Sequence, residues 1–415
     1  MNRPISLSIS ALLGLTLTLM SLEAPRTSAQ VAVDGKVIYT MAGPPIQNGR
    51  VLILEGKIAA VGPASKIEVP DGFRHLQAAV VTPGLIDAHA TVGLTGILNI
   101  DHDQDQLERS QPVQPELRAV DAYNPHEPLV AWVRSFGVTT VHTGHGPGEL
   151  ISGQTMIVKT AGKTVEQATV RPAVAVAATL AQSALKSGER SPGTRGKMVA
   201  MLRSELIRAR EYLQKQERAR QDPETEPPER DLRLETLGRV LRRELALMVT
   251  AHRAQDIASA LRLADEFSIR LWLDGAAEAY LLIDEIRKAG VPVLVHPPMA
   301  RAVGELENAS FETAAQLVRK GIPVALQSGY EGYVPKTRVV LFEAALAAAH
   351  GLGREKALAA ITIDAAKILG ISDRVGSIEV GKDGDLALYN GDPFEYTTHC
   401  VGVVIEGHIV SRKKR

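Results

Sequence analysis

The chain has 415 residues, of which 45% are hydrophobic and 4% aromatic, and its formal net charge at pH 7 is zero. This length can bury a large core and leaves room for one big domain and a smaller one. The absence of a basic surplus and the scarcity of aromatic residues argue against a nucleic-acid partner. The single cysteine, Cys400, excludes a disulfide within this sequence and any site built from several thiolates.

The first 29 residues are typical of a secretory signal peptide. Arg3 supplies a positive charge, residues 5–20 are mostly apolar, and residues 27–29 read Thr-Ser-Ala, which are small residues of the kind found at cleavage sites. The apolar segment is short and contains Ser and Thr, so an uncleaved membrane anchor is the weaker alternative. We therefore expect cleavage after Ala29, an exported protein that is periplasmic or extracellular, and no stable membrane insertion after cleavage.

Both ends of the chain predict strands of one small antiparallel β unit. Residues 31–81 contain clusters of β-branched residues between Asp-Gly, Asn-Gly and Glu-Gly turns. Residues 383–410 show the same pattern of β-branched runs and glycine-containing turns. The chain is expected to leave this unit near Pro83 and to re-enter it near Val375. We assign residues 30–85 and 370–415 to a composite β-sandwich domain.

Between these ends, short apolar runs alternate with helical patterns, which predicts an α/β fold with a parallel sheet. The later runs that we interpret as strands are residues 137–143, 155–160, 245–252, 269–275, 291–296 and 322–328. Residues 86–369 suit a (β/α)8 TIM-type barrel, for which about 250 residues is typical, together with an insertion. We expect the insertion at about residues 195–243, as two exposed, charged helices around a solvated loop.

The stretch Val80–Gly93, VVTPGLIDAHATVG, is central to the fold assignment. Two apolar runs flank Pro83-Gly84, and Asp87 and His89 follow, as in a buried strand with polar groups at its C-terminal end. The motif P-G-L-I-D-x-H resembles the first barrel strand of the amidohydrolase superfamily, metal-dependent hydrolases of C–N and related bonds. The likeness is closest to the imidazolonepropionase-like and dipeptidase-like branch. It continues in residues 118–125, 137–160, 251–267 and the C-terminal signature-like segment 375–388.

The resemblance implies a barrel flanked by a composite β-sandwich, and hydrolysis of a cyclic amide or peptide-like substrate by metal-activated water. It assigns His89 and His252 as ligands of one divalent, zinc-like metal. Four positions depart from the family pattern, because each lacks the expected imidazole or carboxylate. These positions are Thr91, Thr250, Gly275 and Gly329, and Gly329 stands where an aspartate usually serves as general base.

Other polar residues near predicted strand ends leave two hypotheses open. They are pocket residues or relocated ligands, namely His145, Lys159, Asp274 and His296. In the first hypothesis, a non-standard mononuclear site uses His89, His252 and either Lys159 or His296. In the second, the barrel mouth is a metal-free pocket for a small molecule or peptide-like ligand, and the protein is a pseudoenzyme. The four departures favour the second hypothesis, and the sequence is compatible with a homo-oligomer.

Overall fold

The computed structural model describes residues 30–98, 100–187, 191–331 and 338–415. The predicted signal peptide lies outside the described residues. The strands are β1 (Val31–Ile38), β2 (Ile46–Leu54), β3 (Lys57–Pro63), β4 (Arg74–Pro83), β5 (Leu85–Ala90), β6 (Val138–Thr143), β7 (Ile151–Lys159), β8 (Thr169–Thr179), β9 (Ala246–Ala251), β10 (Leu271–Gly275), β11 (Val293–Val295), β12 (Val324–Leu326), β13 (Leu386–Tyr389), β14 (Cys400–Ile405) and β15 (His408–Ser411). The α-helices are α1 (Ala119–Ala122), α2 (Pro128–Arg134), α3 (Val165–Ala168), α4 (Arg195–Gln221), α5 (Leu232–Leu241), α6 (Ala254–Phe267), α7 (Ile283–Ala289), α8 (Thr313–Arg319), α9 (Val340–Ala347), α10 (Arg354–Ala360) and α11 (Ile363–Leu369).

The central sheet is a nearly closed barrel of eight strands, in the order β5 to β12. Beyond the last strand, the backbone N–H of Gly329 donates to the carbonyl of His89 at 3.0 Å, and Gly329 pairs with Ala90 in parallel. One apolar cluster fills the barrel interior, and a larger one lies mainly between the strands and the surrounding helices. The predicted class, a TIM-type barrel with a second sheet from the chain ends, is confirmed.

Two features of the barrel differ from the sequence prediction. Strand β7 runs antiparallel to both of its neighbours, β6 and β8, whereas the other adjacent strands are parallel. Strand β8 was missed, because its first half contains Pro172 and partly exposed residues that interrupt the apolar pattern. The connections on either side of β7 are therefore reversals rather than the helical crossovers that a parallel strand requires.

The second sheet joins the two ends of the chain, in the strand order β15-β14-β13-β4-β1-β2-β3. It is one mixed sheet, in which β1 pairs with β4 in parallel and the other pairs are antiparallel. The sheet curls over its own apolar core, so that the N–H of Ile58 in β3 donates to the carbonyl of Lys382 at 2.9 Å. Curling lets a single sheet cover both sides of that core, where a sandwich had been predicted.

The Pro83-Gly84 pair connects the two sheets. Pro83 ends β4 and Leu85 begins β5, so the chain passes from one sheet into the other through Gly84 alone. A Cβ on Gly84 would lie 2.1 Å from Oγ1 of Thr139, closer than any side chain tolerates. The motif that identified the fold is therefore a packing requirement, since only glycine allows β5 to enter the barrel beside β6.

The predicted insertion is the connection between β8 and β9. Its loop comprises residues 222–231. The two helices that flank it are partly buried, whereas exposed helices were predicted. Helix α4 buries Leu202, Leu206 and Tyr212, and α5 buries Leu237 and Val240. These apolar positions pack the pair against the rest of the protein while the charged residues face water. None of the helices in the described part of the chain combines the length and the apolarity that a bilayer crossing requires.

Candidate functional site

The C-terminal ends of the parallel strands form the barrel mouth, where the active sites of this fold lie. Strand β5 contributes Asp87 and His89, and β10 contributes Asp274. Side chains that directly follow a strand complete the set. They are His252 after β9, His296 after β11, Gln327 after β12 and His145 after β6. The structure thus brings five of the six residues singled out as candidate ligands or pocket residues to one end of the barrel.

The carboxylate of Asp274 is the centre of a buried hydrogen-bond network. It accepts from Nδ1 of His89 at 2.8 Å, from Oγ1 of Thr250 at 2.6 Å and from Nε2 of Gln327 at 2.8 Å. Burial alone would raise the pKa of Asp274, but the imidazole of His89 and these hydrogen bonds outweigh burial and lower the pKa to about 2. Asp274 is therefore ionised and already occupied by three protein donors.

His89 is the ionic partner of Asp274. Burial acts to lower the pKa of its imidazole, but the Asp274 carboxylate, with a smaller contribution from Asp87, raises the pKa above its usual value. Nδ1 donates to Asp274, and within the described part of the chain Nε2 is buried with no hydrogen-bond partner. Nε2 can therefore donate to or accept from a ligand at the mouth, depending on the protonation of the ring.

Three further imidazoles of the mouth carry buried nitrogens without a partner among the described residues. They are Nδ1 and Nε2 of His145, Nδ1 of His252 and Nε2 of His296. The backbone of Leu117 lies near the His145 ring and acts to raise its pKa, but burial has the larger effect. Burial lowers the pKa of His145 and of His296 to about 4, and it also lowers the pKa of His252. These three rings are therefore neutral near pH 7, and each still has hydrogen-bonding capacity to offer. Buried polar groups without partners are rare in folded proteins, so these nitrogens are places where water, an ion or a ligand could supply a partner.

Two buried carboxyl groups lie at the same end of the barrel, and sequence reasoning missed one of them. Burial raises the pKa of Asp87 to about 6, against the opposing effect of hydrogen bonds from Ser328 and His89. Burial likewise raises the pKa of Glu343, on α9, to about 7, with Asp87 adding to the shift. Its Oε2 accepts the N–H of Met299 at 2.8 Å. A lone acid in the apolar run that forms α9 was the available signal for Glu343.

Thr91 and Gly275 are two of the four positions that depart from the family pattern, and the structure shows what surrounds each of them. The hydroxyl of Thr91 accepts a hydrogen bond from Thr95 Oγ1 at 2.9 Å, so it already has a partner. Gly275 has a φ of +76°, and a Cβ there would lie 2.5 Å from Cε1 of His252. A histidine at position 275 would therefore collide with the ring of His252 in its present orientation. The present position of the His252 ring therefore requires a residue without a side chain at position 275.

Lys159 lies at the end of the barrel opposite the mouth, which we call the floor. Because β7 is antiparallel, its last residue pairs with Thr140 near the start of β6. The ammonium group of Lys159 forms buried ion pairs with Asp385 and, at 3.0 Å, with Asp383. The structure therefore does not bring Lys159 to the other candidate residues, and its partners belong to the chain segment that enters the second sheet.

Gly329 ends the barrel sheet with a φ of +69°, and a Cβ there would lie 2.9 Å from Cγ of Pro297. Any other residue would therefore combine left-handed backbone strain, about 1–2 kcal/mol, with a close contact. We expect Gly329→Ala to lower the free energy of unfolding by more than Gly370→Ala does. Gly370 has a φ of +71° and open space around its Cβ position. Equal losses in urea unfolding would show that the backbone around Pro297 relaxes easily enough to accept an aspartate.

A barrel with imidazoles and carboxylates at its mouth is the framework of many metal-dependent hydrolases. Comparison with known proteins points to the same group. The Amidohydrolase family profile matches residues 229–411. Amidohydrolase tasK of Hapsidospora irregularis is 25% identical over 399 residues, which cover 86% of this chain and 39% of that protein. An imidazolonepropionase of Rhizobium rhizogenes is 25% identical over 395 residues, covering 87% of this chain and 91% of its own length. The chain thus spans well under half of the first relative and most of the second.

Solved structures give the same result. An amidohydrolase from Thermotoga maritima MSB8 superposes with a TM-score of 0.85 and 29% identity, over 92% of this chain and 100% of that one. The chain therefore belongs to the amidohydrolase superfamily, as its motifs predicted. Members of this superfamily are usually metal-dependent. A more distant structure of the same fold, an adenosine deaminase from Xanthomonas campestris, contains bound zinc; its TM-score is 0.52 and its identity 17%, over 91% of this chain and 92% of that one.

The arrangement of donors at the mouth can be compared with what a catalytic zinc ion needs. Such an ion requires three protein ligands and an open position. Within the described ranges, no three His, Cys, Asp or Glu side chains are grouped so that they could hold one ion. The carboxylate of Asp274 is turned toward His89, Thr250 and Gln327, and position 329 offers no carboxylate at all.

Proposed function

We propose that this chain is a pseudoenzyme of the amidohydrolase superfamily, whose barrel mouth binds a small molecule or peptide-like ligand without a metal. The arrangement of hydrogen-bonding groups at the mouth carries the proposal. The Nε2 of His89 and the neutral imidazoles of His145, His252 and His296 offer hydrogen-bond donors or acceptors. A ligand with amide groups, such as a cyclic amide or a short peptide, presents both kinds of partner.

Two positions at the mouth support binding rather than hydrolysis, whereas Asp87 and Glu343, with pKa values of about 6 and 7, are the carboxyl groups at this end of the barrel that a hydrolase could use as a base. Attack on an amide by water needs a group that takes the proton from water, and the family position for that group is Gly329. The nearby carboxylate of Asp274 is held by three protein donors and has a pKa of about 2, which makes it a poor base. An uncharged ligand would leave the His89–Asp274 ion pair intact.

One observation favours the alternative, a non-standard mononuclear hydrolase. Histidines that bind metals usually donate their second ring N–H to a carboxylate, which fixes the ring orientation. The hydrogen bond from Nδ1 of His89 to Asp274 has this form, with Nε2 directed away from the carboxylate. His252 and His296 are the remaining residues that could contribute to such a site.

Metal analysis of the purified protein distinguishes the two functions. After growth in metal-rich medium, we expect zinc, iron, nickel and manganese to be well below one ion per chain by mass spectrometry. Close to one tightly held ion that is lost in His89→Ala would contradict the pseudoenzyme proposal. The control is His126→Ala, because His126 is exposed and its Nε2 lies 2.9 Å from the backbone carbonyl of Lys163; it should leave the metal content unchanged.

The compartment and the assembly state are further parts of the proposal. Export to the periplasm or the exterior rests on the signal-like character of residues 1–29, and cleavage after Ala29 would leave a chain that begins at Gln30. An exported chain with one cysteine would depend on its packed core for stability, and that cysteine is buried. A homo-oligomer is compatible with both functional hypotheses.

A further inference from the structure

A cavity of about 690 Å³ opens at the barrel floor, on the opposite side of the barrel from the candidate site. Residues at or just before the starts of β10, β11 and β12 form one wall, and the C-terminal half of α11 forms another. The volume falls within the range of roughly 300–1,000 Å³ that is typical of small-molecule sites. Size and position therefore make this cavity a candidate second site.

The walls of the cavity are largely apolar. Pro292, Ile322 and Leu369 line it, together with the indole of Trp272, which is almost fully buried between the cavity and the barrel interior. The indole also contacts the imidazole of His142 in an edge-to-face arrangement, with 5.7 Å between the ring centroids. A ligand with an apolar body would gain stabilisation from covering these walls, at about 25 cal/mol per Å² of apolar surface removed from water.

The charged groups of the cavity are mostly cationic. Arg270, Lys356 and Lys367 line it, and the only carboxylate in the lining, Asp364, lies 3.8 Å from the ammonium group of Lys367. The guanidinium of Arg270 lies 5.8 Å from the ring centroid of Trp272. Within the described residues, Arg270 makes no ion pair.

The surroundings of Arg270 favour a bound anion. Partial burial lowers the pKa of its guanidinium, and the positive charge of Arg243 adds to this effect. The side chain is exposed to solvent, but a guanidinium beside another cation and without a carboxylate partner among the described residues gains from the approach of an anion. Guanidinium groups bind carboxylate and phosphate through paired hydrogen bonds, which gives the interaction both strength and orientation.

We propose that this cavity binds a small organic anion, with its carboxylate or phosphate group against Arg270 and its apolar body against the Pro292, Ile322 and Leu369 walls. The site is separate from the barrel mouth and does not depend on the function proposed there. Lys356 and Lys367 stand at the same opening and add positive charge that attracts an anion.

Intrinsic fluorescence can test the proposal, because the chain has only two tryptophans. Trp132 lies on α2 and is 37% exposed, so Trp132→Phe in the full chain leaves Trp272 as the single reporter. Benzoate and phenyl phosphate are expected to change the Trp272 emission in a saturable way. Benzyl alcohol, an uncharged analogue, should bind at least tenfold more weakly than benzoate.

Substitution of Arg270 should separate anion binding from non-specific effects. We expect Arg270→Gln to weaken benzoate binding at least tenfold, both by fluorescence and by calorimetry. The matched control is Arg287→Gln on the surface of α7, which removes the same charge outside the cavity and should change the affinity less than twofold. Circular dichroism would establish that both variants are folded.

Two results would overturn the proposal. One is the absence of saturable binding of benzoate and of phenyl phosphate in both measurements. The other is an affinity that is the same in Arg270→Gln, or equal for benzoate and benzyl alcohol, since either equality would remove the role of the anionic group. Neither result would bear on the barrel mouth, whose test measures metal content.

Discussion

Replacing Lys159 with methionine is expected to lower the free energy of unfolding by about 3–5 kcal/mol, because buried carboxylates lose the cation that lies between them. Lys159 is 4% exposed and pairs with Asp383 and Asp385, which are both buried. Lys57 and Arg374 also contact Asp383, at 2.6 and 2.9 Å, but Asp385 has no second cation within the described residues. The methionine fills a similar volume, so the loss measures the missing charge rather than a cavity.

The effect of Lys159→Met should depend on pH at both ends of the range. Burial would lower the pKa of Lys159, but Asp385 and Asp383 outweigh it and raise the pKa above its usual value. Its contribution to stability is therefore complete below about pH 10 and is lost as pH rises through the folded-state pKa. Lys159 and Lys57 outweigh burial at Asp383 and lower the pKa of that carboxyl. Its contribution is complete above about pH 5 and is lost as pH falls.

Urea unfolding of the wild type and Lys159→Met at several pH values measures this prediction. Lys163→Met is the matched control, because Lys163 is exposed and no ion pair of its side chain occurs among the described residues. It should change the free energy of unfolding by less than about 0.5 kcal/mol. A loss below about 1 kcal/mol in Lys159→Met would show that Lys57, Arg374 or water compensates for the missing ammonium group.

Replacing Asp274 with alanine should be similarly destabilising, by about 3–5 kcal/mol, because an imidazole, a hydroxyl and an amide lose a common acceptor in a buried site. These groups belong to His89, Thr250 and Gln327, which come from three different parts of the barrel. Asp274→Asn keeps the shape but removes the charge and should show a smaller loss. Asp265→Ala, at an exposed position on α6, is the control and should be nearly neutral.

A double-mutant cycle tests whether His89 and Asp274 act as a pair. We expect the double variant His89→Ala/Asp274→Ala to be more stable than the sum of the two single losses predicts, by more than about 1 kcal/mol, because neither buried partner is then left unpaired. Additive losses in urea unfolding would contradict the ion pair at the mouth. The cycle uses stability alone, so it does not depend on whether the mouth binds a ligand or a metal.

The sequence identified the fold mainly through local packing requirements. Gly84 is needed where the chain passes from β4 to β5, and the apolar runs that follow were read correctly as strands because each is buried and short. The direction of β7 was not predicted, since an apolar run has the same pattern in either direction. That direction moved Lys159 from the expected mouth to the floor.

The sequence by itself determined the superfamily, the barrel with its second sheet, and most of the polar residues at the mouth. These features could be predicted because strand ends and turn glycines depend on residues that are neighbours in the sequence. Only the tertiary structure decided what those residues do to one another. His89 and Asp274 are 185 residues apart in the chain, yet they form one buried ion pair. Glu343 and Arg270 likewise acquire their roles from groups that the fold, rather than the sequence, places beside them.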